Sequence, residues 1–291
     1  MELRGIIPFL ITPLTEKGNI NERVLREIVD FLIRSGVHGL NILGSTGEFA
    51  YLTSVQKKEL TEIVIDETNS RVPVITGVGS TTTTEAIKEA KRAEELGSDG
   101  ILVILPTYFP ISEEGTYEYY AEVAKAVNCP VIVYNNPHFT KITLTPDIIN
   151  KLAEIHNIQY LKEASSNIAK IINIMDLSGD RIKIFSSSAL IPVLVMMMGG
   201  VGWMAGPACI IPDLCLELYQ LVTDGKWEKA IELQKRIWKL NVVFQKYSLA
   251  ACVKYGLEYL GFEVGKPIHP QTVLDQKAKE EIREVINKLK I

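Results

Sequence analysis

Eight times between Gly5 and Ala205 a short apolar, β-branched run gives way to a charged segment of helical spacing. No other feature of this chain constrains its fold as much. The runs are Ile6–Thr12, Gly39–Leu43, Val74–Gly77, Ile101–Leu105, Val131–Tyr134, Ile158–Lys162, Ile182–Ser186 and Gly202–Ala205. Between them lie segments such as NINERVLREIVDFLIRSG, TSVQKKELTEIVIDETN and TTTEAIKEAKRAEELG, whose apolar residues recur three and four apart. Asn21 and Thr53 stand where helix N-caps belong, Gly36 and Gly97 where C-caps do. Strand–helix alternation implies parallel strands joined by right-handed crossovers. Eight units of about 25 residues each fit a (β/α)8 barrel, the TIM barrel. The rival, a doubly wound open sheet, carries a Gly-rich phosphate turn after its first strand; here that place reads Thr12-Pro13-Leu14-Thr15. The expected fold is therefore α/β, a (β/α)8 TIM barrel over residues 1–211. A C-terminal helical segment, residues 212–291, is expected to pack on it.

Composition narrows the partners. The chain has 291 residues, 47% of them apolar, long enough to hold a core without staples. Its 31 Lys and Arg against 35 Asp and Glu leave a net charge of −4, which argues against nucleic acid or an anionic membrane as partner. Four scattered cysteines, Cys129, Cys209, Cys215 and Cys252, do not make a disulfide framework. The start MELRGIIPFL lacks the apolar core of a secretory signal, so a cytoplasmic protein is expected. From Ile184 to Pro212 no residue is charged, a length that would span a membrane as a helix. Pro192, Gly199, Gly200, Gly202, Gly206 and Pro207 interrupt it, and buried strands and helices of an α/β core read the same way.

A barrel of this kind builds its chemistry at the C-terminal ends of its strands. After strand two comes Gly44-Ser45-Thr46-Gly47-Glu48, whose hydroxyls and N–H groups suit a carboxylate or phosphate, although the same residues make ordinary turns. Strand four leads into Tyr108 and strand five ends in Tyr134; each reads equally as a core tyrosine with its hydroxyl at the rim. Strand six, Ile158-Gln159-Tyr160-Leu161-Lys162, puts a lysine on the face of Ile158 and Tyr160. Desolvation at a barrel mouth lowers a lysine pKa, and a neutral amine is what Schiff-base chemistry needs. Snorkelling to water, or pairing with Glu163 or Asp176, is the alternative. The four histidines and four cysteines show no metal-ligand spacing, so no metal is expected.

Taken together and in order, Pro8-Phe9-Leu10-Ile11-Thr12-Pro13, Gly44-Ser45-Thr46-Gly47-Glu48, Tyr134-Asn135-Asn136-Pro137, Lys162-Glu163-Ala164 and Gly199-Gly200-Val201-Gly202 make the chain resemble the dihydrodipicolinate synthase / N-acetylneuraminate lyase family. The resemblance runs from strand one through the helical tail. It implies a (β/α)8 lyase, usually a homotetramer built as a dimer of dimers. Such an enzyme forms a Schiff base with pyruvate or a longer 2-oxo acid and needs no cofactor. By the same resemblance Lys162 matches the Schiff-base lysine and Tyr134 the proton-shuttling tyrosine. Ser45 and Thr46 match the pair that holds the pyruvate carboxylate, with Gly47 in the same turn. Tyr108 matches the tyrosine given by a neighbouring subunit, and Met204 an apolar residue near the pyruvate.

Two departures bear on the second substrate. The synthase branch has an arginine two residues after the Pro of its Tyr-Asn-x-Pro motif; here Pro137 is followed by His138 and Phe139, and a phenyl ring cannot form a guanidinium–carboxylate clamp. After strand seven the synthase has acidic residues, whereas this chain reads Ser186-Ser187-Ser188-Ala189, hydroxyls that suit a neutral polyol. Ser54 and Lys57 replace the histidines of the synthase's lysine-feedback site. These positions point to an aldolase for 2-keto-3-deoxy sugar acids such as 2-keto-3-deoxygluconate, with Ser187, Ser188 and His138 contacting the substrate. The alternatives are 4-hydroxy-tetrahydrodipicolinate synthase, which condenses pyruvate with aspartate semialdehyde; a 2-keto-3-deoxy acid dehydratase; and a non-catalytic 2-oxo-acid-binding protein.

Overall fold

The computed structural model describes residues 2–289. Its strands are β1 Gly5–Pro8, β2 Leu40–Ile42, β3 Val74–Val78, β4 Gly100–Val103, β5 Val131–Asn135, β6 Ile158–Glu163, β7 Lys183–Ser186 and β8 Gly202–Ala205. The helices are α1 Glu22–Ser35, α2 Ser54–Thr68, α3 Thr83–Glu95, α4 Glu113–Lys125, α5 Pro137–Thr140, α6 Pro146–Leu152, α7 Ile168–Ser178, α8 Pro192–Met197, α9 Pro212–Thr223, α10 Trp227–Lys246, α11 Leu249–Tyr259 and α12 Gln276–Leu289. Each of the eight apolar runs is a strand. They form one sheet in the order β1-β8-β7-β6-β5-β4-β3-β2, with parallel ladders from β3 through β8. The two ends of that order also meet, through a parallel bridge between Phe9 and Asn41. Leu10 N–H donates to the Asn41 carbonyl and His38 N–H to that of Ile6, both at 2.9 Å. An eight-stranded parallel sheet whose first and last members pair is a TIM barrel.

By its contacts the chain divides into two compact units, one of residues up to Val74 with those from Met204 onward, the other Ile75–Trp203. In the first, α1 begins where the Asn21 side chain accepts the N–H of Val24 and ends where Gly36 turns left-handed at φ 92°. Its buried stripe is Val24, Leu25, Ile28, Val29 and Leu32. Thr53 and Gln56 close a capping box at the start of α2. The C-terminal helices belong to this unit: α9 packs on β1 and α1, and α10 packs with α9, α11 and α12.

In the second unit, alternation along the strands sorts the side chains. Val133 of β5 and Leu161 of β6 join Ala86, Tyr120, Ile149 and Ile171 in a core between strands and helices. Each fully buried side chain of this size contributes about 1.5–3 kcal/mol. Their strand neighbours, Tyr134 and Lys162, fall on the opposite face. The charge-free stretch from Ile184 onward is split among β7, α8, β8 and a turn at Pro207–Cys209. Among the described residues no helix is long and apolar enough to cross a membrane.

Candidate active site

Tyr134 and Lys162 are register partners on adjacent parallel strands. Lys162 is only 3% exposed, and its Nζ lies 3.5 Å from the centre of the Tyr134 ring. One strand further on, its register partner is Phe185, which packs against Tyr160 on the same face of β6. The Tyr134 ring and burial replace the water that an ammonium would hold. That desolvation pushes the Lys162 amine well below the ordinary lysine range. A neutral amine in this setting is a nucleophile towards a ketone carbon, with a phenol beside it to move protons.

The second face of the same two strands carries a different network. Asn135, register partner of Glu163, donates its Nδ2 to both Glu163 oxygens at 2.8 Å, and its Oδ1 accepts the N–H of Leu144. Glu163 also accepts the N–H of Ser165 at 2.7 Å and pairs with Lys170 at 3.3 Å. The carboxylate next to Lys162 in sequence thus points away from it, as strand alternation requires. At the end of β5, Asn136 donates its Nδ2 to Tyr134 Oη at 2.7 Å.

Within this unit the other expected residues have contacts of their own. Ser188 is buried, and its Oγ accepts from Ser166 at 2.6 Å and from Leu190 N–H. Ser186 donates to the Ser188 carbonyl, and Ser187 N–H donates to that of Glu163. His138 is exposed on α5, edge-on to Phe139. Tyr108 is 88% exposed and stacks edge-on with Phe109.

In the first unit, the turn after β2 is held by bonds from Gly47 N–H to Gly44 O and from Glu48 N–H to Ser45 O, both 3.1 Å. Thr12 donates to the Gly47 carbonyl at 2.7 Å. A side chain at Gly44 would run into the Phe9 ring, and one at Gly47 would come within 2.8 Å of the Leu10 carbonyl, so the turn needs both glycines. Thr46 is buried with its hydroxyl beside Gly206, just past β8 and its buried Met204; Ser45 is half-buried. Glu48, left-handed at φ 59°, turns its carboxylate inward. It pairs with Lys254 at 2.6 Å and accepts from Ile268 N–H and Gln271 Nε2. Lys254 also donates to the Lys266 carbonyl, and burial lowers its pKa against the pull of Glu48. Among the described residues no group of three or more His, Cys, Asp or Glu side chains is placed to hold a metal.

A family model for the dihydrodipicolinate synthetase family matches residues 2–289. The chain belongs to that family. It is 35% identical over 291 residues to the 4-hydroxy-tetrahydrodipicolinate synthase of Methanopyrus kandleri, covering 99% of this chain and 97% of that one. Similarity to the synthase of Archaeoglobus fulgidus is 32% over 287 residues, covering 99% and 98%. Among solved structures, a prophage protein of the dihydrodipicolinic acid synthase family from E. coli K12, in complex with pyruvate, superposes with a TM-score of 0.95 at 28% identity, covering 100% of this chain and 99% of that one. Dihydrodipicolinate synthase from Aquifex aeolicus gives 0.95 at 28%, covering 99% and 98%. As a member of the dihydrodipicolinate synthetase family the chain is a class I pyruvate-dependent aldolase acting on small molecules, and the non-catalytic alternative falls. The names of the relatives favour the synthase alternative over the sugar-acid aldolase that the sequence departures suggested.

Three polar arrangements of this family member went unnoticed in its sequence: Asn136 on Tyr134, Glu163 as acceptor for Asn135 and Ser165 and ion-pair partner of Lys170, and the Glu48–Lys254 pair. The first lies one residue past the end of β5, beyond the reach of the strand's alternation. The last joins positions 206 residues apart, with nothing local to announce it.

Proposed function

We propose that Lys162 condenses with the C2 carbonyl of pyruvate, and that the resulting enamine adds to an aldehyde. The observation that carries this reading is the buried amine of Lys162 against the Tyr134 ring. The amine attacks C2 and water leaves, giving an iminium that draws electrons from C3. Loss of a C3 proton gives the enamine, whose C3 attacks the aldehyde carbon. Tyr134 protonates the alkoxide formed there, a step worth a factor of ~10² to 10⁴. Ser45, Thr46 and the Gly47 turn hold the pyruvate carboxylate, which removes the entropic cost of orienting the ketone. Met204 is the apolar residue near the pyruvate, and Tyr108 serves the site of a neighbouring subunit in a cytoplasmic homotetramer.

For the aldehyde, the relatives' names support aspartate semialdehyde, and 4-hydroxy-tetrahydrodipicolinate synthase is the first reading. Lys141, just past α5, is the cation that segment offers in place of the missing arginine. A 2-keto-3-deoxy sugar acid is the second reading, supported by the uncharged hydroxyls of Ser186, Ser187 and Ser188 and by exposed His138 and Phe139. Borohydride reduction with pyruvate, followed by peptide mapping, tests the chemistry. One pyruvate-derived adduct on Lys162, absent from Lys162→Ala, is expected; an adduct elsewhere, or none, refutes it. Turnover of each candidate separates the acceptors. Pyruvate released from 2-keto-3-deoxygluconate without condensation of aspartate semialdehyde reverses their order, and a semialdehyde product without pyruvate marks a dehydratase. Tyr134→Phe is expected to lose ~10² to 10⁴ in rate while still forming the borohydride-trapped adduct.

A further inference from the structure

We propose that Asn136 is a positioning residue for proton transfer by Tyr134, its side-chain amide holding the phenol oxygen so that the phenolic hydrogen is directed to the reacting atoms. The inference rests on the Schiff-base reading above and adds to it a residue that is not expected to touch substrate.

The geometry assigns the amide's orientation twice over. Asn136 Oδ1 accepts the N–H of Phe139 at 3.4 Å as the N-cap of α5, which leaves Nδ2 to face Tyr134 Oη at 2.7 Å. The backbone is pinned as well, since the Asn136 carbonyl accepts from Thr140 N–H and from Thr140 Oγ1, both at 3.0 Å. Asn136 is 6% exposed, so little water competes for the bond. An amide N–H only donates, so at this contact the phenol oxygen is acceptor and its own hydrogen points elsewhere. A bond donated to a phenol oxygen also favours the phenolate over the phenol. When Tyr134 gives its proton to the new alkoxide, the negative charge left on Oη stays held by the Asn136 N–H. In the cleaving direction the same phenolate takes the proton from the hydroxyl as the carbon–carbon bond breaks.

A purely structural Asn136 would serve only to cap α5. Asn136→Ser and Asn136→Asp both keep a side-chain oxygen for the cap, and neither carries an amide N–H to the phenol. The expected result is a fall in kcat of about tenfold for Asn136→Ser, the scale of one hydrogen bond. Asn136→Asp should fall further, because its carboxylate opposes a neighbouring phenolate. The limb of the kcat–pH profile that Tyr134→Phe abolishes should move up by about one unit in Asn136→Ser. Borohydride trapping at Lys162 should be unchanged in both, and Asn136→Ser placed in the Tyr134→Phe background should cost nothing more. Wild-type kcat with an unmoved pH limb in both variants, or an equal loss in the Tyr134→Phe background, overturns the proposal while leaving the Schiff base standing. No adduct in the unmodified protein overturns the Schiff-base reading and this proposal together.

Discussion

The residue that decides the chemistry is also one the fold would be more stable without. Lys162 is buried against the Tyr134 ring, and burial alone drives its amine well below the usual range. In the unfolded chain the same amine titrates near 10.4, so between the folded and unfolded values the unfolded state holds the extra proton. Stability from this site therefore rises with pH, by up to about 1.4 kcal/mol per unit. Lys162→Met keeps the volume and removes the titration. It is expected to unfold at higher urea than the unmodified protein at pH 7, with the gap narrowing towards pH 9.5, while retaining no turnover; a constant gap measured by urea unfolding across that range contradicts a desolvated amine. The place of Lys162 was legible because a charged residue ended an apolar strand, and that of Tyr134 because it closed the neighbouring one. Asn136 escaped notice because its bond depends on a side-chain orientation set by α5, a helix of four residues with no periodicity to read.

At the scale of the element, β5 and β6 work as one piece. The ladder that brings Tyr134 beside Lys162 brings Asn135 beside Glu163 on the other face, and that second pair is hydrogen-bonded through both carboxylate oxygens. Glu163→Ala would leave the Asn135 amide and the Ser165 N–H without their acceptor and the mostly buried Lys170 without its counter-charge. A loss of roughly 3–5 kcal/mol is expected in urea unfolding, against about 1–2 kcal/mol for the isosteric Glu163→Gln; a loss under 1 kcal/mol for Glu163→Ala would mean the network holds nothing in register. All eight strands were legible because short continuous apolar runs, rich in β-branched residues and recurring between helical segments, read as the buried strands of a parallel sheet. Their ends were less so. β1 ends at Pro8 although Phe9 and Leu10 go on pairing with its neighbours, and β2 stops at Ile42 because Leu43 turns the chain at φ 54°. Neither limit shows in a hydrophobic pattern.

For the whole molecule, eight strands make a barrel only if the first meets the second, and here a histidine sits on that seam. His38 N–H donates to the Ile6 carbonyl, and its Nδ1 accepts the Ile6 N–H at 3.2 Å. The ring lies edge-on to Tyr219 and fills the space where any side chain at Gly5 would go. The scaffold, common to the family, was legible from its strand count, whereas the choice of aldehyde was not, since it depends on short loops around 137–141 and 186–189 whose side chains follow no period. The seam carries a consequence for pH. Burial, and then the nearby Arg4 charge, hold the His38 pKa below its ordinary value. Only the neutral ring offers Nδ1 as an acceptor, so protonation removes the bond to Ile6 and sets a cation near Arg4. With the folded pKa below the unfolded one near 6.5, the unfolded chain binds the extra proton in between. Stability is thus full above about pH 6.5 and declines as pH falls towards the folded value. His38→Gln keeps a neutral acceptor that does not titrate. Thermal midpoints measured from pH 8 to pH 5 should fall more steeply for the unmodified protein than for His38→Gln, with the divergence beginning near pH 6.5. Parallel curves would mean that the closing seam is indifferent to the charge on His38, and that acid acts on the barrel through other groups.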